Sequence, residues 1–187
     1  MRILYSLILV SSVCLADNIV TVDQIGNSNT ITVTQEGTGH NANIKLGSLG
    51  DVDYTTVSIL QQGAAKTAKV EMPSGINTTA SIQQEGTGNH YAGIMSLNGS
   101  GNNITIGQSG AGNHTFNLIG DTNTTNSGNT ITAQQSGGVG ADKLFNLTLS
   151  GATGASVNVQ QTNQTSANTG SLTVQCNPCG AYSYIRQ

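Results

Sequence analysis

Apolar and polar residues alternate along nearly the whole chain, and the alternation stops and restarts at near-regular intervals. The fullest example is Thr79 to Asn89, where Ala80, Ile82 and Gln84 share one parity and Gly86 opens a glycine-rich turn. The skeleton apolar-x-apolar-x-Gln-x-Gly returns as Ile31-Val33-Gln35-Gly37, Val57-Ile59-Gln61-Gly63, Ile104-Ile106-Gln108-Gly110 and Ile131-Ala133-Gln135-Gly137. Val157-Val159-Gln161 has Asn163 in the glycine position, and Val20-Val22-Gln24-Gly26 is a half-copy near the start. From Gln35 onward the glutamines are 26, 23, 24, 27 and 26 residues apart. Alternation with period two predicts strands. A repeat of this length predicts a solenoid.

A second alternating segment follows each turn: Ala42-Ile44-Leu46, Ala68-Val70-Met72, Ala92-Ile94, Phe116-Leu118, Leu147-Leu149 and Leu172-Val174. Clusters of glycine, serine and asparagine separate the repeats, and no stretch has helical periodicity. One strand–turn–strand–turn unit cannot bury its own apolar face, but stacked units about 4.8 Å apart can. The expected fold is all-β: a β-solenoid of about six strand-turn-strand rungs forming two stacked parallel sheets, roughly 29 Å tall. The expected segments are 1–16 signal peptide, 17–28 N-terminal half-repeat, 29–176 solenoid repeats and 177–187 C-terminal tail.

The repeated glutamine shares the parity of the apolar positions, so it is expected to point inward. A lone buried carboxamide is costly. A stacked column lets each amide donate to the next, as in cross-β assemblies. The expected ladder is Gln24, Gln35, Gln61, Gln84, Gln108, Gln135 and Gln161. The glycines two residues on, Gly26, Gly37, Gly63, Gly86, Gly110 and Gly137, are expected to supply the positive φ of the turns.

Composition narrows the class. Among 187 residues there are 24 glycines, no Trp, 2 Phe and only 8% charged residues. That is too little bulk for a thick globular core. Disordered chains are usually charged and lack apolar periodicity, unlike this one. The net charge of −3 and the lack of a basic run argue against nucleic acid. At the start, Arg2 is followed by an apolar run to Val13 and by small residues at Cys14 and Ala16. This predicts a secretory signal cleaved after Ala16, too short to span a bilayer. Val13 is not the small residue that lipidation of Cys14 would want. The mature chain is expected outside the cytoplasm and not membrane-spanning.

Gln84-Glu85-Gly86-Thr87-Gly88-Asn89 and Gln108-Ser109-Gly110-Ala111-Gly112-Asn113 resemble the repeat motif of curlins, subunits of the curli amyloid fibres of bacterial biofilms. Gln35-Glu36-Gly37-Thr38-Gly39-His40 matches until its last residue. The resemblance departs from the family pattern where Leu46 and Met72 replace a second glutamine, and where Lys66 and Gly140 replace the motif's asparagine. It implies a secreted structural protein that self-assembles into curli-type fibres and mediates adhesion and aggregation. The implied partners are copies of itself, a nucleator or major-subunit curlin, and an outer-membrane export channel.

The remaining chemistry is sparse. Cys176 and Cys179 form one Cys-x-x-Cys with no second pair, so a local disulfide in an exported chain is favoured over zinc or redox chemistry. His40, His90 and His114 fall in turns and are expected to be solvated. The two that lie six residues past their glutamine, His90 and His114, are placed to stack, with a pH-sensitive column as the sharper alternative. No catalytic constellation appears, Asp51 and Asp53 have no matching base, and neither cofactor nor enzyme activity is expected. The competing function is a monomeric solenoid that binds ice, carbohydrate or a cell surface.

Overall fold

The computed structural model describes residues 9–13, 17–23, 26, 28–47, 53–72, 75–95, 97, 99–121 and 123–187. Strands are numbered in chain order. The first sheet has eight parallel strands: β1 (Leu9–Val13), β3 (Thr30–Gly37), β5 (Thr56–Gly63), β8 (Thr79–Gln84), β11 (Asn103–Gly110), β13 (Thr130–Gly137), β15 (Ser156–Gln161) and β17 (Ala181–Arg186). The second has seven: β2 (Ile19–Asp23), β4 (Asn41–Leu46), β6 (Lys66–Met72), β9 (His90–Met95), β12 (His114–Gly120), β14 (Lys143–Leu149) and β16 (Asn168–Val174). A narrow third side carries β7 (Gly75–Ile76) paired with β10 (Gly99–Ser100), and a bridge between Ser127 and Thr153. The chain is thus the expected β-solenoid, without helices among the described residues.

Register follows the repeat. Gln35 pairs with Gln61, Gln61 with Gln84, Gln84 with Gln108, Gln108 with Gln135, and Gln135 with Gln161. Every slip by one residue would turn the apolar set outward, so the alternation itself pins this register. The core lies between the two sheets, built of Ile, Val, Ala and Leu columns that are almost wholly buried. Phe116 and Phe145 stack in the second sheet with ring centroids 5.9 Å apart. The rung with Phe145 carries Ala133, the smallest residue of its first-sheet column.

One expectation changes at the N-terminus. The half-copy Val20-Val22 is not a first-sheet strand. It lies in β2, where Val20 pairs with Ala42 and Val22 with Ile44 in the second sheet. Alternation alone fits either strand type, so the sequence did not distinguish them. Gln24 lies outside the described residues. Leu9–Val13, inside the expected leader, forms β1 on the edge of β3.

Candidate functional site: the glutamine column and the ends of the stack

Six of the expected glutamines form one internal column. Gln35 Nε2 donates to Gln61 Oε1 at 2.8 Å, and the same bond repeats from Gln61 to Gln84 (2.9 Å), Gln84 to Gln108 (2.8 Å), Gln108 to Gln135 (2.8 Å) and Gln135 to Gln161 (2.7 Å). Their side chains are buried. Each amide has a second hydrogen to place. Gln35 gives it to Ile19 O, Gln61 to Asn41 O, Gln84 to Thr67 O, Gln108 to Tyr91 O, Gln135 to Thr115 O and Gln161 to Leu144 O. Those carbonyls belong to the second sheet one rung below. The column therefore stacks rungs and ties the two sheets together at the turn. The last amide, Gln161, also donates to Asn168 Oδ1 at 2.6 Å.

The turn glycines hold backbone close to backbone. Gly63 has φ 94°, and a Cβ there would clash with the carbonyl oxygen of Gly86 in the next rung. Gly26, Gly37, Gly86 and Gly110 also have positive φ; Gly137 does not. Around the Gly137 turn the chain instead crowds against Ala141.

Beside the glutamines runs a second column, whose histidines sequence reasoning places in solvent. Register puts His40, Lys66, His90, His114 and Lys143 one above another, and all five are buried. Turn position implies solvation for the histidines, because turns are usually exposed. Here the turn folds its side chains back under the next rung. His40 Nε2 meets Glu36 O at 3.1 Å, His90 Nε2 meets Glu85 O at 2.8 Å, and His114 Nε2 meets Ser109 O at 2.9 Å. A carbonyl accepts, so Nε2 carries the hydrogen and Nδ1 is left bare. All three Nδ1 atoms are buried without a partner. The His90 and His114 rings stack at 4.8 Å, 3° from parallel. Burial holds all three below the ordinary imidazole value, with His90 pushed down to about 4. Neighbouring His114 and Lys66 depress His90 further, against the Glu85 carbonyl that raises it.

The two lysines take the histidine place with a longer reach. Lys66 Nζ donates to Ala64 O, Gly86 O and Gly88 O at 2.9, 2.9 and 2.6 Å. Lys143 Nζ donates to Asn163 O at 2.8 Å and to Ser166 O. Burial lowers both ammonium pKa values. Asparagines make a further set of buried bonds that the sequence reading missed. Asn29 Oδ1 accepts from Thr55 N, Asn102 Oδ1 from Asn129 N, Asn126 Oδ1 from Ala152 N, and Asn129 Oδ1 from Ala155 N. The signal was the asparagine just before several first-sheet strands.

The ends of the stack differ. At the C-terminal end Cys176 and Cys179 form a disulfide, and their backbone pairs with Thr153 through Thr153 N to Cys176 O and Cys179 N to Thr153 O. They extend the third side by one level. Tyr184 leans over Gly170 towards Phe145 and donates to Asn168 Oδ1 at 3.0 Å. Among the described residues no three His, Cys, Asp or Glu side chains group to hold a metal, and no helix is long and apolar enough to cross a membrane.

In-register parallel rungs and an internal amide column define a β-solenoid of two stacked parallel sheets. Residues 16–45 match the family described as Curlin associated repeat. The match spans 30 of the chain's 187 residues and makes that stretch similar to the curlin repeat family. No curated protein and no solved structure matches the chain.

Proposed function

We propose that the chain is a curli-type structural subunit: exported, self-assembling end to end into amyloid-like extracellular fibres, and active in adhesion and aggregation within a biofilm matrix. The observation that carries this reading is the glutamine column, unbroken from Gln35 to Gln161. A structure already built as cross-β needs only another rung to continue. The strand edges at its ends carry backbone N–H and C=O groups that can template that rung. A nucleator or major-subunit curlin and an outer-membrane export channel are the partners this reading implies.

The deciding experiment is incubation of exported, purified chain at micromolar concentration. Fibres that form in a concentration-dependent way and diffract at about 4.8 Å along their axis are expected. A soluble monomer that melts sharply and never assembles refutes the reading.

A further inference from the structure

The two ends of the stack are offset by half a rung. At the C-terminal end the first sheet runs one strand further than the second: β17 lies on β15, and no second-sheet strand stands at its level among the described residues. At the N-terminal end β1 and β2 share a level, β1 on β3 and β2 on β4. Cleavage after Ala16 takes β1 away and leaves β2 alone at that level. Each end then lacks the strand that the other has to spare.

We propose that β17 of one copy seats on β3 of a second copy, in the place that β1 holds in the uncleaved chain, while β2 of that second copy seats on β16. This rests on the self-assembly reading and names its joint. On the same geometry β1 guards the β3 edge until the leader is removed.

Register supports the fit. Ala181 pairs with Ser156, and the successive pairings carry that position down to Thr30. Seated on β3, Tyr182 lies over Ile31, Tyr184 over Val33 and Arg186 over Gln35, next to the carboxylate of Glu36. By the same count Val20 of β2 falls on Gly170 of β16, and Val22 on Leu172, once Tyr184 gives up its place over Gly170 and its bond to Thr169 O.

The apolar surface agrees. Among the described residues, the half-buried hydrophobics packed on the core are Val20 and Val22 at one end, and Leu172, Cys176, Cys179, Tyr182 and Tyr184 at the other. Exposed Ile19 and Ile185 lie on the same two end strands. The joint brings Val20 and Val22 together with Leu172, Tyr182 and Tyr184.

The backbone is aimed correctly as well. Thr30 N donates to Thr55 O, Thr130 N to Ala155 O and Ser156 N to Gly180 O, each towards the following strand. The equivalent N–H groups of β17 are those of Ala181, Ser183 and Ile185, which therefore face away from β15.

The test places two outward cysteines across the joint. Thr32 and Ser183 are exposed and fall opposite each other if β17 seats on β3. A Thr32→Cys/Ser183→Cys chain, secreted and allowed to assemble, is expected to give intermolecular disulfides on non-reducing gels. A Thr32→Cys/Ala181→Cys chain, one pleat out of register, is expected to give at least tenfold less, because bridged Cα atoms must lie within about 7 Å. Unexported chain that keeps residues 1–16 is expected to cross-link neither pair. Ser183→Pro removes an outward N–H without touching the bonds to β15, so it is expected to block assembly while the monomer melts within a few degrees of the parent. Fibres without the 32–183 bridge, or Ser183→Pro fibres at the parental rate, overturn the joint and leave self-assembly standing. Equal cross-linking with the leader retained overturns the guarding role. No fibres from the parent overturn the joint and the proposed function together.

Discussion

A buried carboxamide is tolerable only when all its polar atoms are paired, and the glutamine column pairs them through two different neighbours. Gln84 shows what depends on one residue. It accepts from Gln61 Nε2 and donates to Gln108 Oε1 and Thr67 O. Gln84→Ala strands those three groups in a dry interior, at about 1–3 kcal/mol for each left unpaired. Gln83 is its control, because it is exposed and bonds only to Glu85 on the surface. Fibre lag time is expected to lengthen for Gln84→Ala and to stay near the parental value for Gln83→Ala; equal lag times contradict the structural role. The histidines set a second residue-scale expectation. A folded pKa below the unfolded one means that the unfolded chain takes up protons first as pH falls. Stability is therefore fully present above about pH 6.5, the ordinary imidazole value, and is lost as pH falls towards the folded value near 4 for His90. His40 and His114 act in the same direction. Protonated Nδ1 would be a buried donor with no acceptor, beside the ammonium groups of Lys66 and Lys143, with Asp142 the opposing charge near Lys143. Asparagine already stands in this column at Asn18 and Asn168, so His90→Asn should fold. Its melting temperature is expected to fall less between pH 6.5 and 4 than that of the parent. An identical fall in both would assign the pH response elsewhere.

At the scale of an element, each strand ends on a turn that the next rung touches. Gly63 is an exacting position of this kind, since its backbone is left-handed and the oxygen of Gly86 occupies the space of a Cβ. Gly63→Ala is expected to lower the melting temperature clearly, through strain of roughly 1 kcal/mol or more added to the backbone clash. Ser58→Ala, on the exposed face of the same strand, is expected to be near neutral; the comparison is read by thermal melts at one pH. The alternation, the turn glycines and the glutamine spacing were all legible in the sequence because each repeats. The sheet of β2 was not, since Val-x-Val suits either strand type. The buried histidines and lysines were hidden for another reason. Their partners are turn carbonyls, which carry no sequence signature, and those of Lys66 and Lys143 include groups about 20 residues away. Phe145 was missed because the longer turn before it shifts the strand start relative to earlier repeats.

At the scale of the whole molecule, order is carried in one direction. Each rung packs on its two neighbours, and the sequence distance between stacked glutamines stays between 23 and 27 residues. Stability in such a stack is close to a sum of rung and interface contributions, and an added copy repeats an interface of the same kind. The amide column also has a sense. In every link the N–H lies on the N-terminal partner and the oxygen on the C-terminal one, and the second hydrogen bond to a backbone carbonyl fixes that orientation. The carboxamide dipoles therefore add head to tail instead of cancelling, as the peptide dipoles of a helix do. The solenoid is a small electret whose positive pole faces Asn168. A fibre of copies joined in one direction would inherit that polarity over its whole length. Two such filaments would be expected to lie side by side more readily with their poles opposed than with their poles aligned.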